Sequence, residues 1–137
     1  MKIEGRAVPW GSNTEEDKQR LLDWRTKIRS KVKAERENIK CNFDKFKITI
    51  LFYMFSKGNQ PDIDNLAKPV LDTLFTDKHE KEKYPKGALT DKDDNKVYEL
   101  ILKKQDCDKD AQRIEITIEE YVGEDASERV GTSEGWG

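Results

Sequence analysis

The sequence predicts a mixed α/β fold of the α+β type, in which a long N-terminal helix and a shorter motif helix pack on a small mixed sheet. Three patterns predict it: an apolar stripe at helical spacing over residues 14–37, period-two alternation over 45–55, and a second helical stripe over 65–75. A chain of 137 residues has room for one domain and a modest core.

The N-terminal third is predicted to form a short strand followed by a long helix. Residues 2–8 read as the strand, which ends at Pro9 and Gly11. Possible N-caps are Ser12, Asn13 and Thr14, and the helix then runs to about Glu37. Its apolar stripe consists of Leu21, Trp24, Ile28 and Val32. A neighbouring basic stripe consists of Arg25, Arg29, Lys33 and Arg36.

A central strand and the motif helix follow. Alternation of Phe46, Ile48, Ile50, Phe52 and Met54, with apolar residues between them near the far end, predicts a strand covered on its two sides. The motif helix is expected over about 65–75. Pro69 is expected either to lie close to the helix start or to kink the helix, since it lacks an N–H.

Two strands are predicted near the end of the chain. Residues 97–104 are apolar at first, and residues 113–119 alternate with Ile114, Ile116 and Ile118 on one face. A short polar segment joins them, so they are expected to pair as an antiparallel hairpin. The segments 45–55 and 97–102 should supply the core. Residues 1–122 form one predicted domain, and the acidic tail 123–137 is expected to be disordered.

Charge and composition limit the possible functions. Charged residues make up 39% of the chain, and no segment is apolar for long enough to span a membrane or serve as a signal peptide. Cys41 and Cys107 have no metal-site spacing, so they are interpreted as reduced thiols of a cytoplasmic protein. Between Lys18 and Arg36, eight basic residues oppose two acids, although the whole chain carries −2. A local basic face of this kind is compatible with a nucleic-acid partner, and equally with a merely solvated helix.

The motif around Pro61–Pro69 carries the chemistry. Asp62 and Asp64 lie two residues apart at the start of the motif helix, and Lys68 and Asp72 follow at steps of four. A second acidic cluster, Asp91, Asp93 and Asp94, precedes the strand at 97. If that strand lies beside the central strand, both clusters should meet at one edge of the sheet. Carboxylate oxygens without His or Cys suit Mg²⁺ or Mn²⁺. Taken singly, Asp64 or Asn65 can also be a helix cap.

These residues resemble the RusA family of Holliday-junction resolvases. The likeness is carried by Asp62-x-Asp64-Asn65-Leu66-x-Lys68-Pro69-x-x-Asp72-x-Leu74, followed by Gly87-x-Leu89-x-x-x-Asp93-Asp94-x-x-Val97-x-x-Leu100. After the first strand, however, the chain has Trp10-Gly11-Ser12-Asn13 where the family has a run of Lys, Arg and Pro.

The resemblance implies a RusA-like nuclease domain over residues 1–122, a homodimer and symmetric cleavage of branched DNA in recombination and repair. It implies Mg²⁺ (or Mn²⁺) bound by Asp62, Asp64 and an acid of the Asp93–Asp94 pair, with Lys68 as a catalytic cation. Asp62, Asp64, Lys68 and Asp94 are therefore the predicted catalytic residues. Predicted DNA contacts are Arg25, Arg29 and Lys33 on the first helix and Lys81 and Lys83 in the following charged loop.

Other interpretations remain open. Pro61-Asp62 with Asp94-Asn95-Lys96 matches the PD-(D/E)xK nuclease pattern, although that pattern normally uses adjoining strands. A flap or branch nuclease of the same chemistry fits the motif too. A non-catalytic DNA-binding or assembly protein, with its acids as caps and a structural ion site, is the alternative from another class.

Overall fold

The computed structural model describes residues 1–11, 14–39, 42–55, 61–76 and 86–123. These residues form a mixed α+β fold with a four-stranded sheet and two α-helices, as predicted. In chain order the elements are β1 (Lys2–Glu4), α1 (Glu15–Glu35), β2 (Phe46–Met54), α2 (Ile63–Leu74), β3 (Val97–Asp106) and β4 (Arg113–Glu120). Single 3₁₀ turns occupy Arg36–Asn38, Asp94–Lys96 and Lys109–Ala111.

Helix α1 begins where the sequence provides a cap. The Thr14 hydroxyl accepts a hydrogen bond from the Asp17 N–H at 3.1 Å, and acids fill the first turn, where they suit the helix dipole. Trp24, Ile28 and Val32 are buried along one face. The apolar stripe therefore packs as predicted, with Leu21 only half-buried at its edge.

Strand β2 lies inside the sheet, and its alternation is confirmed. Phe46, Ile48, Ile50, Phe52 and Met54 are at most 1% exposed. The residues between them are only half-buried, so the helices cover one face of the sheet and leave the other open. The prediction that this strand is covered on its two sides is thus wrong.

The strand order is β1-β4-β2-β3. β2 runs parallel to β3 and antiparallel to β4, while β1 pairs antiparallel with β4. The predicted hairpin between residues 97–104 and 113–119 is therefore wrong, because β2 lies between these two strands. Helix α2 is the crossover that parallel strands such as β2 and β3 require.

Strand β3 is an edge strand and contributes less core than predicted. None of its residues is fully buried, and its second half carries Lys103, Lys104 and Gln105. Charged edges of this kind oppose pairing with other chains. The core instead combines the inner faces of β2 and β4 with α1, α2 and the segment containing Ala88 and Leu89.

Helix α2 begins two residues before the predicted start. It runs over Ile63–Leu74, and Asp62 occupies its N-cap position, so neither Asp64 nor Asn65 is the cap. Leu66, Val70 and Leu74 are fully buried. Pro69 lies in the middle of the helix and is buried.

Two further predictions concern the thiols and the membrane. Cys107 is a half-buried free thiol, whereas Cys41 lies outside the described residues. In the described part of the chain, neither helix combines the length and apolar character needed to cross a bilayer. The predicted acidic tail lies outside the described residues from position 124 onward.

Candidate functional site

A cleft of about 230 Å³ between α2 and β3 gathers four of the charged side chains singled out from the sequence. They are Asp64, Lys68, Asp72 and Asp94. Apolar side chains of Ala67, Leu71, Leu100 and Leu102 complete the lining. The cleft thus combines three carboxylates and one ammonium group over an apolar floor.

Helix geometry places three of these side chains in a row. Asp64, Lys68 and Asp72 follow at steps of four residues, so they share one face of α2. The Lys68 ammonium lies 3.3 Å from a carboxylate oxygen of Asp72. The Lys68 side chain is 47% exposed and that of Asp72 only 11%. The ammonium therefore remains open to solvent while its carboxylate partner is largely covered.

Asp94 reaches the cleft because the chain before it is docked on the end of α2. The N–H groups of Ala88 and Leu89 donate to the carbonyls of Thr73 and Leu74 at 2.8 and 3.0 Å. The Thr76 N–H then donates to the Lys92 carbonyl at 2.9 Å, and Thr76 pairs with Asp93. These backbone hydrogen bonds fix the segment that leads into β3, and with it the position of Asp94 in the 3₁₀ turn before that strand.

The parallel arrangement also separates the two acidic clusters. Asp62 lies at the start of α2, where the neighbouring Pro61 carbonyl accepts from Lys104 near the end of β3 at 2.9 Å. Asp93 lies beside Thr76, beyond the other end of α2. A helix of this length rises by about 18 Å. Asp62 and Asp93 therefore lie toward opposite ends of α2. Of the two clusters only Asp64 and Asp94 share the cleft lining, so the expected meeting of both clusters at one sheet edge is found only in part.

The carboxylates have partners within the chain. Asp64 accepts from the Asn65 N–H, and Asp93 accepts from the Asn95 N–H, each at 3.0 Å. Within residues 1–11, 14–39, 42–55, 61–76 and 86–123, no three Asp, Glu, His or Cys side chains are grouped closely enough to hold a metal ion. The carboxylate oxygens in the cleft, those of Asp64, Asp72 and Asp94, are nevertheless the type of ligand that a hard cation prefers. Asp62 and Asp93, which were also predicted as ligands, do not belong to the cleft lining.

Trp10 is a component of the site that the acidic motif does not include. The Lys68 ammonium lies 5.3 Å from the centroid of its indole ring, and the Trp10 N–H donates to the Asn65 carbonyl at 2.9 Å. The Asn65 carbonyl is available because Pro69, four residues later, has no N–H to donate to it. The signal in the sequence was an unexpected Trp in place of the basic run, together with a proline inside the motif helix.

The residues predicted to contact DNA lie in different environments. Arg25 is only 6% exposed, and its guanidinium donates to the Thr73 hydroxyl at 3.1 Å and to the Asp72 carbonyl at 3.3 Å. Arg29 is half-buried and donates to the Lys86 carbonyl at 3.0 Å. Lys33 is exposed on the same helix. Lys81 and Lys83 lie outside the described residues.

Arg25 therefore joins α1 to α2 and is removed from the set of proposed DNA contacts. Arg25 is buried because it follows Trp24 and lies about one turn before Ile28, at the border of the buried stripe of α1.

No protein-family model matches this chain, and no curated protein matches it at a significant level. The likeness to RusA resolvases therefore remains a prediction from the motif residues.

Proposed function

We propose that this chain is a Mg²⁺- or Mn²⁺-dependent endodeoxyribonuclease that cleaves branched DNA, with the Holliday junction as its substrate. One observation carries the proposal: Asp64, Lys68, Asp72 and Asp94 line a single cleft. Acids gathered beside one lysine match the needs of phosphodiester hydrolysis, in which a cation and an ammonium group offset charge on the phosphate.

The cleft residues and their neighbours are the proposed ligands. Asp64 and Asp94 line the cleft and are the first candidates to hold the cation, with Asp72 as the partner of Lys68. Asp62 and Asp93, the other two ligands expected from the sequence, lie toward opposite ends of α2, so at most one of them completes the site. A bound cation supplies an activated water and offsets charge on the phosphate. Lys68 is the group placed to donate to a phosphate oxygen, because its ammonium is half-exposed and held at 3.3 Å from Asp72.

DNA binding is proposed to use the basic residues retained from the sequence. They are Arg29 and Lys33 on α1, and Lys81 and Lys83, which lie outside the described residues. Contacts to the phosphate backbone release counterions, so the affinity for DNA should fall steeply as salt rises.

The homodimer is proposed to form through the open face of the sheet. Leu51, Tyr53 and Ile101 are half-buried on this face, which α1 and α2 do not cover. By strand register the face also carries four cations and four acids, which are Lys2, Lys47, Lys103 and Arg113, and Glu4, Glu99, Glu115 and Glu119. This balance of opposite charges allows a second copy, turned about a two-fold axis, to pair unlike charges across the interface.

Junction cleavage tests the enzymatic proposal. The wild-type chain should cut a synthetic four-way junction with Mg²⁺ and leave linear duplex intact, with no cutting in EDTA. Asp64→Asn and Lys68→Ala should each lower the cleavage rate by at least about 100-fold while retaining junction binding. Asp110→Asn is a suitable control, because Asp110 is exposed in the turn before β4. Undiminished cutting by Asp64→Asn would refute the assignment.

A non-catalytic DNA-binding or assembly protein is the second candidate. It is favoured by the partners that the acids already have, namely the Asn65 N–H for Asp64, Lys68 for Asp72 and the Asn95 N–H for Asp93. Junction binding without Mg²⁺-dependent cleavage of junctions, flaps or single-strand branches would select this candidate.

A further inference from the structure

A second cleft, of about 400 Å³, opens next to the acidic one. It lies between the segment 6–11 and the first turns of α1, and its charged lining residues are Arg6, Asp17 and Arg20. Trp10 also lines it, and the same indole ring contacts Lys68 of the acidic cleft. Trp10 is therefore the side chain at which the two clefts adjoin.

Trp10 is held in place although much of its surface is open. Its backbone N–H donates to the Asn65 carbonyl at 2.9 Å, and the Lys68 ammonium lies 5.3 Å from the centroid of its ring. Trp10 is nevertheless 49% exposed. Tryptophan is highly buried on average, so a half-exposed indole on an anchored backbone beside a cleft is unusual and points to a function for the ring.

Two arginines give the second cleft a positive lining. Arg6 is fixed, because its guanidinium donates to the Phe55 carbonyl at 3.0 Å and to the Gln112 side-chain oxygen at 2.7 Å. The Arg20 side chain is 64% exposed and lies 3.4 Å from Asp17. An aromatic platform flanked by cations is the arrangement that binds single-stranded nucleic acid, in which bases stack and phosphates pair with the cations.

We propose that Trp10 stacks on an unpaired nucleobase of the DNA, and that Arg6 and Arg20 contact the phosphates beside that base. This inference rests on the proposed function and specifies what the site recognises, namely bases left unstacked at a branch point. A volume of about 400 Å³ is ample for one nucleotide. Lys68, in contact with the same ring, would link base stacking to the acidic cleft.

Binding in the absence of cleavage tests the proposal. The full chain in EDTA would be titrated against a labelled oligothymidylate of about ten nucleotides and against a duplex of the same length. Trp10→Ala should weaken binding of the single strand by about tenfold and leave duplex binding within about twofold. Trp10→Phe, which keeps an aromatic ring, should recover most of the affinity. Tyr98→Ala is the matched control, because Tyr98 is an aromatic residue of similar exposure, 53%, on β3.

The outcomes separate stacking from a structural role. Unchanged single-strand affinity in Trp10→Ala, or an equal loss for duplex, would overturn the proposal. So would an equal loss in Tyr98→Ala. If Trp10→Ala lowers the melting temperature, its loss of binding could come from a damaged fold. Intrinsic fluorescence of the Trp10→Phe chain then tests stacking directly. The oligonucleotide should quench wild-type tryptophan emission, and most of that quenching should be missing in Trp10→Phe; equal quenching in the two chains would contradict stacking.

The phosphate contact has its own test. Arg20→Ala should reduce the slope of log affinity against log salt by about 0.7 for the single strand, the value for one lost phosphate contact. Lys31→Ala, on the same helix but outside the second cleft, should leave the slope unchanged. An unchanged slope in Arg20→Ala would remove Arg20 from the proposed contacts.

These measurements are independent of the nuclease proposal. Trp10-dependent binding without any Mg²⁺-dependent cleavage would refute the nuclease and retain the stacking site. Mg²⁺-dependent cleavage together with binding that does not depend on Trp10 would support the nuclease and refute the stacking site.

Discussion

Lys68 lies between a carboxylate and an aromatic ring. Asp72 is 3.3 Å away, and the Trp10 ring centroid is 5.3 Å away. An ion pair with one partner half-exposed contributes at most about 1 kcal/mol to stability. The main effect of the two contacts is therefore to hold the Lys68 ammonium group over the cleft.

Asp72→Asn should test this positioning role. The amide is close in size to the carboxylate, so we expect the free energy of unfolding in urea to change by less than about 1 kcal/mol. The rate of junction cleavage should fall by about tenfold or more, since Lys68 loses the charge that holds it. Glu35→Gln, which removes the equivalent i,i+4 pair with Lys31 on α1, is the control. A wild-type cleavage rate in Asp72→Asn would show that the ion pair is not needed.

Gly87 is a residue that the packing requires. A Cβ atom at this position would lie 2.4 Å from the carbonyl oxygens of Leu74 and Thr90 and 2.5 Å from the carbonyl carbon of Phe75. Backbone atoms cannot yield as a flexible side chain can. The segment that leads to Asp94 can therefore dock on α2 only with glycine here.

Gly87→Ala should destabilise the fold by about 2 kcal/mol or more, the range of overpacked core substitutions. Urea unfolding measures the change. Gly123→Ala should have little effect, because its new Cβ would meet only the Tyr121 ring, at 3.1 Å or more. Equal stability of the two variants would contradict this account of Gly87.

At the scale of elements, helix α2 is attached to other parts of the chain by hydrogen bonds near its proline. Pro69 leaves the Asn65 carbonyl without its helical partner, and Trp10 supplies an N–H instead. The Thr73 hydroxyl donates to the Pro69 carbonyl at 2.7 Å and accepts from Arg25 of α1. The proline thus frees an acceptor for the backbone of Trp10, and the Arg25–Thr73 bond separately attaches the same helix to α1.

Arg25→Ala should loosen this attachment. Loss of the guanidinium leaves the buried Thr73 hydroxyl without one of its partners, so we expect a loss of about 2–3 kcal/mol in urea unfolding. Lys33→Ala, an exposed substitution on the same helix, should stay within about 0.5 kcal/mol of wild type. Near-equal effects of the two substitutions would show that the Arg25 bonds contribute little.

At the scale of the whole molecule, the two helices of the described residues both cover the same side of the sheet. α1 and α2 pack on the face that carries Ile48 and Ile50, while Leu51 and Tyr53 lie on the other. Arg113 lies 3.8 Å from the centre of the Tyr53 ring, and its hydrogen bond to Glu115 raises the pKa of its guanidinium above the ordinary value. The Arg113 guanidinium therefore stays charged on the open face, where Glu115 is its partner.

If this face joins two copies, Leu51→Glu should prevent dimerisation by placing an unpaired charge in the interface. Light scattering should give twice the chain mass of 16.0 kDa for wild type and a single chain mass for the variant. Leu22→Glu, at an exposed apolar residue on α1, should remain dimeric. A monomeric wild-type chain would refute the proposed dimer.

The strand order shows why pairing partners could not be predicted from local patterns. Alternation in residues 113–119 correctly identified Ile114 and Ile116 as buried, yet it carries no information about which strand lies alongside. A short connection favoured a hairpin with β3. The structure instead places the lysine-bearing β3 at the edge and the isoleucine-rich β4 inside, which exposes charge and buries apolar surface.

The sequence alone determined the two helices, the apolar face of α1, α2, β2 and β4, and the row Asp64, Lys68 and Asp72, because period and spacing along one chain specify which side chains share a face. Tertiary structure decided the position of Asp94, the burial of Arg25 and the contact between Trp10 and Lys68. Each of these depends on how separate elements pack, and distant segments meet through interactions that no local pattern records.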